Sequence, residues 1–144
     1  MTGYVVDASV AVKWFVTEAF SDQAARLLDA ASTLIAPELL FAEVTNALWA
    51  LCRRGDITPA DFAEAVGVLK TAPITVPVPM RQLAASAARL AADLDHPADD
   101  CFYLALAMQE QHPVVTADQR FHDVVRKHPY LSDRIVHLAS LPTD

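Results

Sequence analysis

Cysteine is nearly missing from this sequence. Only Cys52 and Cys101 occur, with no CxxC pair and no Cys/His spacing, which argues against a disulfide framework or structural zinc and reads both as buried free thiols. Low-complexity tracts and runs of like charge are absent as well, which argues against disorder along the body of the chain. Met1 to Val6 has neither the basic start nor the apolar stretch of a secretory signal, and charge interrupts every apolar run short of a bilayer span. The expected location is therefore the cytoplasm, with no membrane partner. A positive balance is also lacking, since the formal net charge is −7. Alone, that opposes nucleic-acid binding, because nonspecific affinity comes from Lys and Arg neutralising phosphates. Net charge is only a sum, however. Acids gathered in one cleft around divalent cations reverse the local sign and leave Lys13, Arg53, Arg54 and Arg120 to meet a backbone.

What is present is a 144-residue chain with 53% hydrophobic residues, enough to bury a core as one domain over 1–144 without staples. Strand and helix signals alternate. Tyr4 to Val6 reads as a strand and Ala8 to Phe15 as a helix. Ser21 can cap a helix to about Ala31, and Thr33 to Ala36 is a strand stopped by Pro37. A long helix from Glu38 to Arg54 has Leu40, Val44, Ala47, Leu48 and Leu51 on one face and Gly55 at its end. Thr58-Pro59-Ala60-Asp61 opens the next helix, to about Lys70. Pro73, Pro77 and Pro79 bracket an edge strand near Ile74 to Val78. Helices Arg81 to Leu94 and Ala98 to Gln111, the strand Val114 to Thr116, a helix near Gln119 to Lys127 and a strand at Ile135 to Leu138 complete the series. The alternation predicts an α/β domain whose mostly parallel central sheet is flanked by helices. Ligands in such sheets bind beyond the carboxyl ends of the strands.

Acids stand at those positions. Asp7 follows the first strand and Asp118 follows Val114 to Ala117, although either can simply cap a helix. Glu43 lies on the apolar stripe of its helix, where a carboxylate needs a partner or a metal. Asn46, one turn on, either assists the same place or bonds to a helix end. Asp99 and Asp100 open a helix that is then apolar nearly all round. One of them is explained by the helix dipole, and at least one should face the protein body. Four separate capping or dipole explanations are less economical than one shared site. Carboxylates without a His or Cys ligand pattern suit Mg2+ or Mn2+ better than zinc, and two such ions serve in-line displacement at phosphorus. His96, His112, His122, His128 and His137 form no metal-ligand spacing and receive no role.

Val5-Val6-Asp7-Ala8-Ser9, Pro37 to Val44 with Asn46, Asp100 to Ala107, and Val115-Thr116-Ala117-Asp118 resemble the four blocks of PIN-domain proteins, in the family's order and spacing. The short form resembles the VapC-type toxins of toxin-antitoxin systems. That resemblance implies a Mg2+- or Mn2+-dependent endoribonuclease, a homodimer, and a cognate antitoxin that occupies the active-site groove. It carries the family's acids onto Asp7, Glu43, Asp100 and Asp118, with Ser9 and Thr116 as supporting hydroxyls. It also points to structured cellular RNAs, cut in loops because A-form helices hide their base edges. Asp99 departs from the pattern, which commonly has an aromatic residue there, so Asp99 is a cap, a fifth acid near the metals, or the ligand itself. Two other readings stand beside this one: a PIN-fold RNA-binding or interaction protein without catalysis, and an aspartyl-phosphate phosphotransferase. The latter lacks its usual partners, since Ser9 stands where a second acid would be and Lys127 falls in a helix pattern.

Overall fold

The computed structural model describes residues 3–29 and 33–141. β1 (Gly3–Val6) pairs on one side with β2 (Thr33–Ile35) and on the other with β3 (Val114–Thr116), which pairs in turn with β4 (Ile135–His137). All pairings are parallel, in the order β2-β1-β3-β4. Val5, Val6, Val114 and Val115 of the two central strands are fully buried, as expected where β-branched side chains fill a sheet covered on both faces.

Seven α-helices among the described residues flank this sheet: α1 (Ala8–Ala11), α2 (Ser21–Asp29), α3 (Leu39–Arg53), α4 (Pro59–Lys70), α5 (Met80–Leu94), α6 (Ala98–Glu110) and α7 (Gln119–Arg126). Local chemistry sets their ends. Gly55 takes φ 84° beyond α3, so its N–H reaches the Cys52 carbonyl and that of Asp56 reaches Leu51, the paired bonds of a Schellman ending. Thr58 and Asp61 form a reciprocal capping box at α4, with Pro59 as its first residue. α6 buries Cys101, Tyr103 and Leu104 to Ala107 because it lies against β1, β3 and α5. Truncating Leu104, which is wholly buried, to alanine would destabilise by about 2–5 kcal/mol.

Four expectations need correction. Ala8 to Phe15 is not one helix: α1 passes into a 3-10 turn at Val12–Trp14 capped by Phe15. Its β-branched and aromatic residues favour a helix weakly, and the Trp14 indole N–H is drawn to the Ala24 carbonyl at 2.8 Å. Ser21 is the first residue of α2 instead of its cap, with a hydroxyl that accepts from Glu18 N–H and donates to Val16; the expected end at Ala31 lies outside the described residues. In place of a strand at Ile74 to Val78 there is one bridge, Ile35 with Thr75. Pro73 and Pro77 flank it without a donor, confining the pairing to Thr75 at the β2 edge. Cys52 is only half-buried whereas Cys101 is buried, since Cys52 sits in the last turn of α3, past the buried Leu40, Val44 and Leu48. No helix among the described residues is long and apolar enough to cross a membrane.

Chain order places the site. From β1 the chain proceeds to β2 on one flank, then to β3 on the other. The order therefore reverses between β1 and β3, and the carboxyl ends of those two strands bound the crevice where open α/β sheets bind ligands.

Candidate active site

Asp7 and Thr116 meet at that reversal. Val6 pairs with Val115, so the next residue of each strand, Asp7 and Thr116, comes side by side. Asp7 is 6% exposed. Its Oδ1 accepts the Ser9 N–H at 2.7 Å and its Oδ2 accepts the Thr116 hydroxyl at 2.7 Å. The Ser9 hydroxyl accepts the Ala117 N–H at 2.9 Å and lies 3.3 Å from Thr116 Oγ1. With Thr116 already donating to Asp7, the proton between the two hydroxyls belongs to Ser9. Burial raises the Asp7 carboxyl from 3.8 to about 6, against the lowering effect of these hydrogen bonds, and the charge of Asp100 adds to the rise.

Glu43 and Asp100 come from helices. Glu43, half-buried on α3, accepts the Tyr103 hydroxyl of α6 at 2.6 Å. Burial raises its carboxyl above the ordinary range, with Asp99 and Asp100 contributing repulsion. Burial and the Glu43 contact push the Tyr103 hydroxyl well above the tyrosine range, so it remains a donor. Asp100 is partly buried in the first turn of α6, and His96 Nε2 lies 2.7 Å from its Oδ2. Burial again raises the carboxyl, opposed by His96 and helped by Asp99 and Asp118. The same burial, with Asp100 and Asp99 beside it, pushes the Cys101 thiol up to about 11 and leaves it unreactive.

Asp118 caps α7, its Oδ1 accepting the Phe121 N–H at 3.1 Å, and its own N–H donates to Thr116 Oγ1 at 3.0 Å. Capping and site placement thus coincide at Asp7 and Asp118. Asp99 is exposed while Asp100 turns inward, yet the Asp99 charge is felt by both Glu43 and Asp100. Asn46 is exposed on α3. Of the expected cations, Lys13 pairs with Glu18 and Arg54 with Asp56, each at 2.9 Å, and Arg53 lies over the Trp49 ring at 5.5 Å.

Two residues at this site carry no role in the sequence reading. Tyr103 had a signal: a tyrosine inside an apolar helix needs a partner for its hydroxyl when buried. His96 had a weaker one, four residues before Asp100, and its placement depends on the turn between α5 and α6.

The donors here are oxygens on acids that repel one another, which suits a hard divalent cation. Among the described residues no three Asp, Glu, His or Cys side chains form a ready cage. Mg2+ needs none, since it binds through one or two carboxylates and keeps several waters.

The PIN domain family model matches residues 4–127. No curated protein matches the sequence. Solved structures share the fold, among them the following two. The crystal structure of PAE2754 from Pyrobaculum aerophilum is 18% identical with a TM-score of 0.64, over 96% of this chain and 91% of that one. VapBC2 from Rickettsia felis, crystallised with a DNA fragment from its promoter, is 12% identical with a TM-score of 0.64, over 94% of this chain and 98% of that one.

Proposed function

This chain belongs to the PIN domain family, and from that premise we propose that it is a divalent-cation-dependent endoribonuclease, acting as one domain in the cytoplasm as the toxin of a toxin-antitoxin pair. The observation that carries the reading is Asp7: a buried carboxylate at the point where the strand order reverses, held at both oxygens and repelled by Asp100. A fold that needed only a cap there would not bury an acid against another acid. Asp7, Glu43, Asp100 and Asp118 would hold Mg2+ or Mn2+. A bound ion would supply counter-charge for the phosphodiester and a more acidic water.

The chain's own residues do the rest. Thr116 and Ser9 hold Asp7 through a directed pair of hydroxyls, Tyr103 holds Glu43, and the Thr116 hydroxyl also fixes the backbone N–H of Asp118. Preorganised carboxylates need not reorganise when charge builds at the phosphate. Arg53 and Arg120, exposed and without a carboxylate partner among the described residues, would neutralise flanking phosphates in this reading. The VapBC2 neighbour supports an antitoxin partner; in this reading that partner sets a basic side chain among the acids, and the chain acts as a homodimer.

Purified protein should cut single-stranded or looped RNA in Mg2+ or Mn2+, stop in chelator, and lose cleavage as Asp7→Asn. Cutting that persists in chelator, or at the wild-type rate in the variant, would overturn the proposal.

A further inference from the structure

The fold has no packing need for an imidazole at residue 96. The His96 side chain is 3% exposed, and its ring lies nearly flat on Phe121, with centroids 5.1 Å apart and planes 17° from parallel. Its Nδ1 is buried without any hydrogen-bond partner, an omission that costs stability. Leucine would fill such a place without the penalty. What histidine brings is Nε2, 2.7 Å from Asp100 Oδ2. The backbone aims it there. Asp95 ends α5 in the left-handed region at φ 51°, the His96 N–H returns to the Ala91 carbonyl, and Pro97 leads directly into α6.

The unpartnered nitrogen also sets the tautomer. A proton on Nδ1 would bury an N–H with no acceptor, the rarer and worse defect. A bare Nδ1 leaves only a lone pair unmet, so the proton belongs on Nε2 and is donated to Asp100. Asp100 Oδ1 has no hydrogen-bond partner among the described residues.

We propose that His96 is a positioning residue for the cleavage reaction: as an Nε2–H donor it fixes Oδ2 of Asp100 and leaves Oδ1 free to act in the cleft. Removing groups that orient metal-binding side chains from behind weakens metal affinity or activity by roughly 10–100-fold. This proposal rests on the nuclease reading above, and the test separates the two.

In chelator, a long-range proton–nitrogen NMR spectrum of the labelled protein should show His96 as the Nε2–H tautomer alone; the Nδ1–H form or a mixture would overturn the proposal. Mn2+ binding by calorimetry and RNA cleavage should then be measured for His96→Leu and His96→Gln. The Leu variant should fold, bind Mn2+ roughly 10–100-fold more weakly and lose kcat by a similar factor at unchanged KM. Gln, whose side-chain N–H2 can reach the same oxygen, should recover most of both. An active wild type with an unaffected Leu variant, or a Gln variant no better than Leu, overturns the positioning role and leaves the nuclease reading standing. A wild type that neither binds Mn2+ nor cuts RNA overturns both.

Discussion

Asp7 and Asp118 follow strands and each accepts a backbone N–H from the helix it opens, two or three residues ahead. Glu43 and Asp100 ride on helices and are held by side chains, Tyr103 and His96. At the strand ends, fold and site use the same atoms, so a substitution that removes the carboxylate also risks the helix start. On the helices the two uses are separate: neither Glu43 nor Asp100 caps its helix, so α3 and α6 would form without them. Substitutions that keep hydrogen-bonding shape while removing charge should therefore resolve the two roles at the strand ends and simply abolish function on the helices.

The largest effect is expected at Asp7. Asparagine can still accept from Ser9 N–H, and its amide can face Thr116, whose hydroxyl can turn to accept. The cap survives while the charge is lost. If that charge provides several kcal/mol through a bound cation, cleavage should fall by at least about a hundredfold, at tenfold for each 1.36 kcal/mol. Stability in chelator should move the other way. A carboxyl raised from 3.8 to about 6 in the folded state keeps its full stability below the unfolded value and loses it as pH climbs towards the folded one. Wild type should therefore weaken between about pH 4 and about pH 6, by up to about 3 kcal/mol from Asp7. The upward shifts of Glu43 and Asp100 act in the same direction. Asp7→Asn should lack the Asp7 part of that slope and be the more stable protein at pH 7. Urea melts across this range would check it, and a variant that is less stable yet active would make Asp7 a cap alone.

Asp100 tests the helical half of the comparison. Asp100→Asn should melt above wild type in chelator, because the cost of burying its charge and the repulsion from Asp99 and Asp118 are relieved, and should gain less than wild type from millimolar Mg2+. Wild type should gain roughly 2.7 kcal/mol at about 100 times the ion's dissociation constant, a rise of roughly 5 to 10 °C. Asp99→Asn, at an exposed position, should reduce cleavage less than Asp100→Asn. Parallel melting shifts in the two buffers would count against an ion at Asp100, and the reverse ranking of activities would make Asp99 the ligand.

A smaller effect is expected where Tyr103 meets Glu43. Tyr103→Phe removes a hydroxyl bonded to a carboxylate, worth about 1.5–3 kcal/mol in general and towards the lower figure for a half-buried acid. Melting should fall by roughly 5 °C, with a partial loss of cleavage. Glu43→Gln keeps an acceptor for the hydroxyl and sheds a buried charge, so it should melt at or above wild type in chelator and lose cleavage. A Glu43→Gln protein that still cuts at the wild-type rate would remove Glu43 from the site.

The legible parts of this molecule are those whose cause is local. Gly55 and the Thr58 capping box announce themselves within four residues, and an acid directly after a valine strand can be read without knowing where the chain goes next. The lone Thr75 bridge was not legible as such: an extended, proline-punctuated segment looks like a strand until its missing donors are set against β2. The Tyr103 bond spans 60 positions and depends on how α3 and α6 pack. His96 was invisible for another reason. Its role comes from a left-handed residue at Asp95, and no hydrophobic period records a turn of that kind.

Asp118 offers the smallest and most discriminating effect, because serine and alanine both remove its carboxylate and differ mainly in capping. Serine caps about as well as aspartate, whereas alanine loses about 0.5–2 kcal/mol. In chelator, Asp118→Ser should melt within a few degrees of wild type and Asp118→Ala lower, by the loss of the Phe121 N–H bond at the start of α7. Both should lose cleavage to the same extent, since neither presents an acid to the cleft. Equal melting of the two variants would mean that α7 does not depend on its cap. Full cleavage by the serine variant would leave Asp118 as structure alone and reduce the site to Asp7, Glu43 and Asp100.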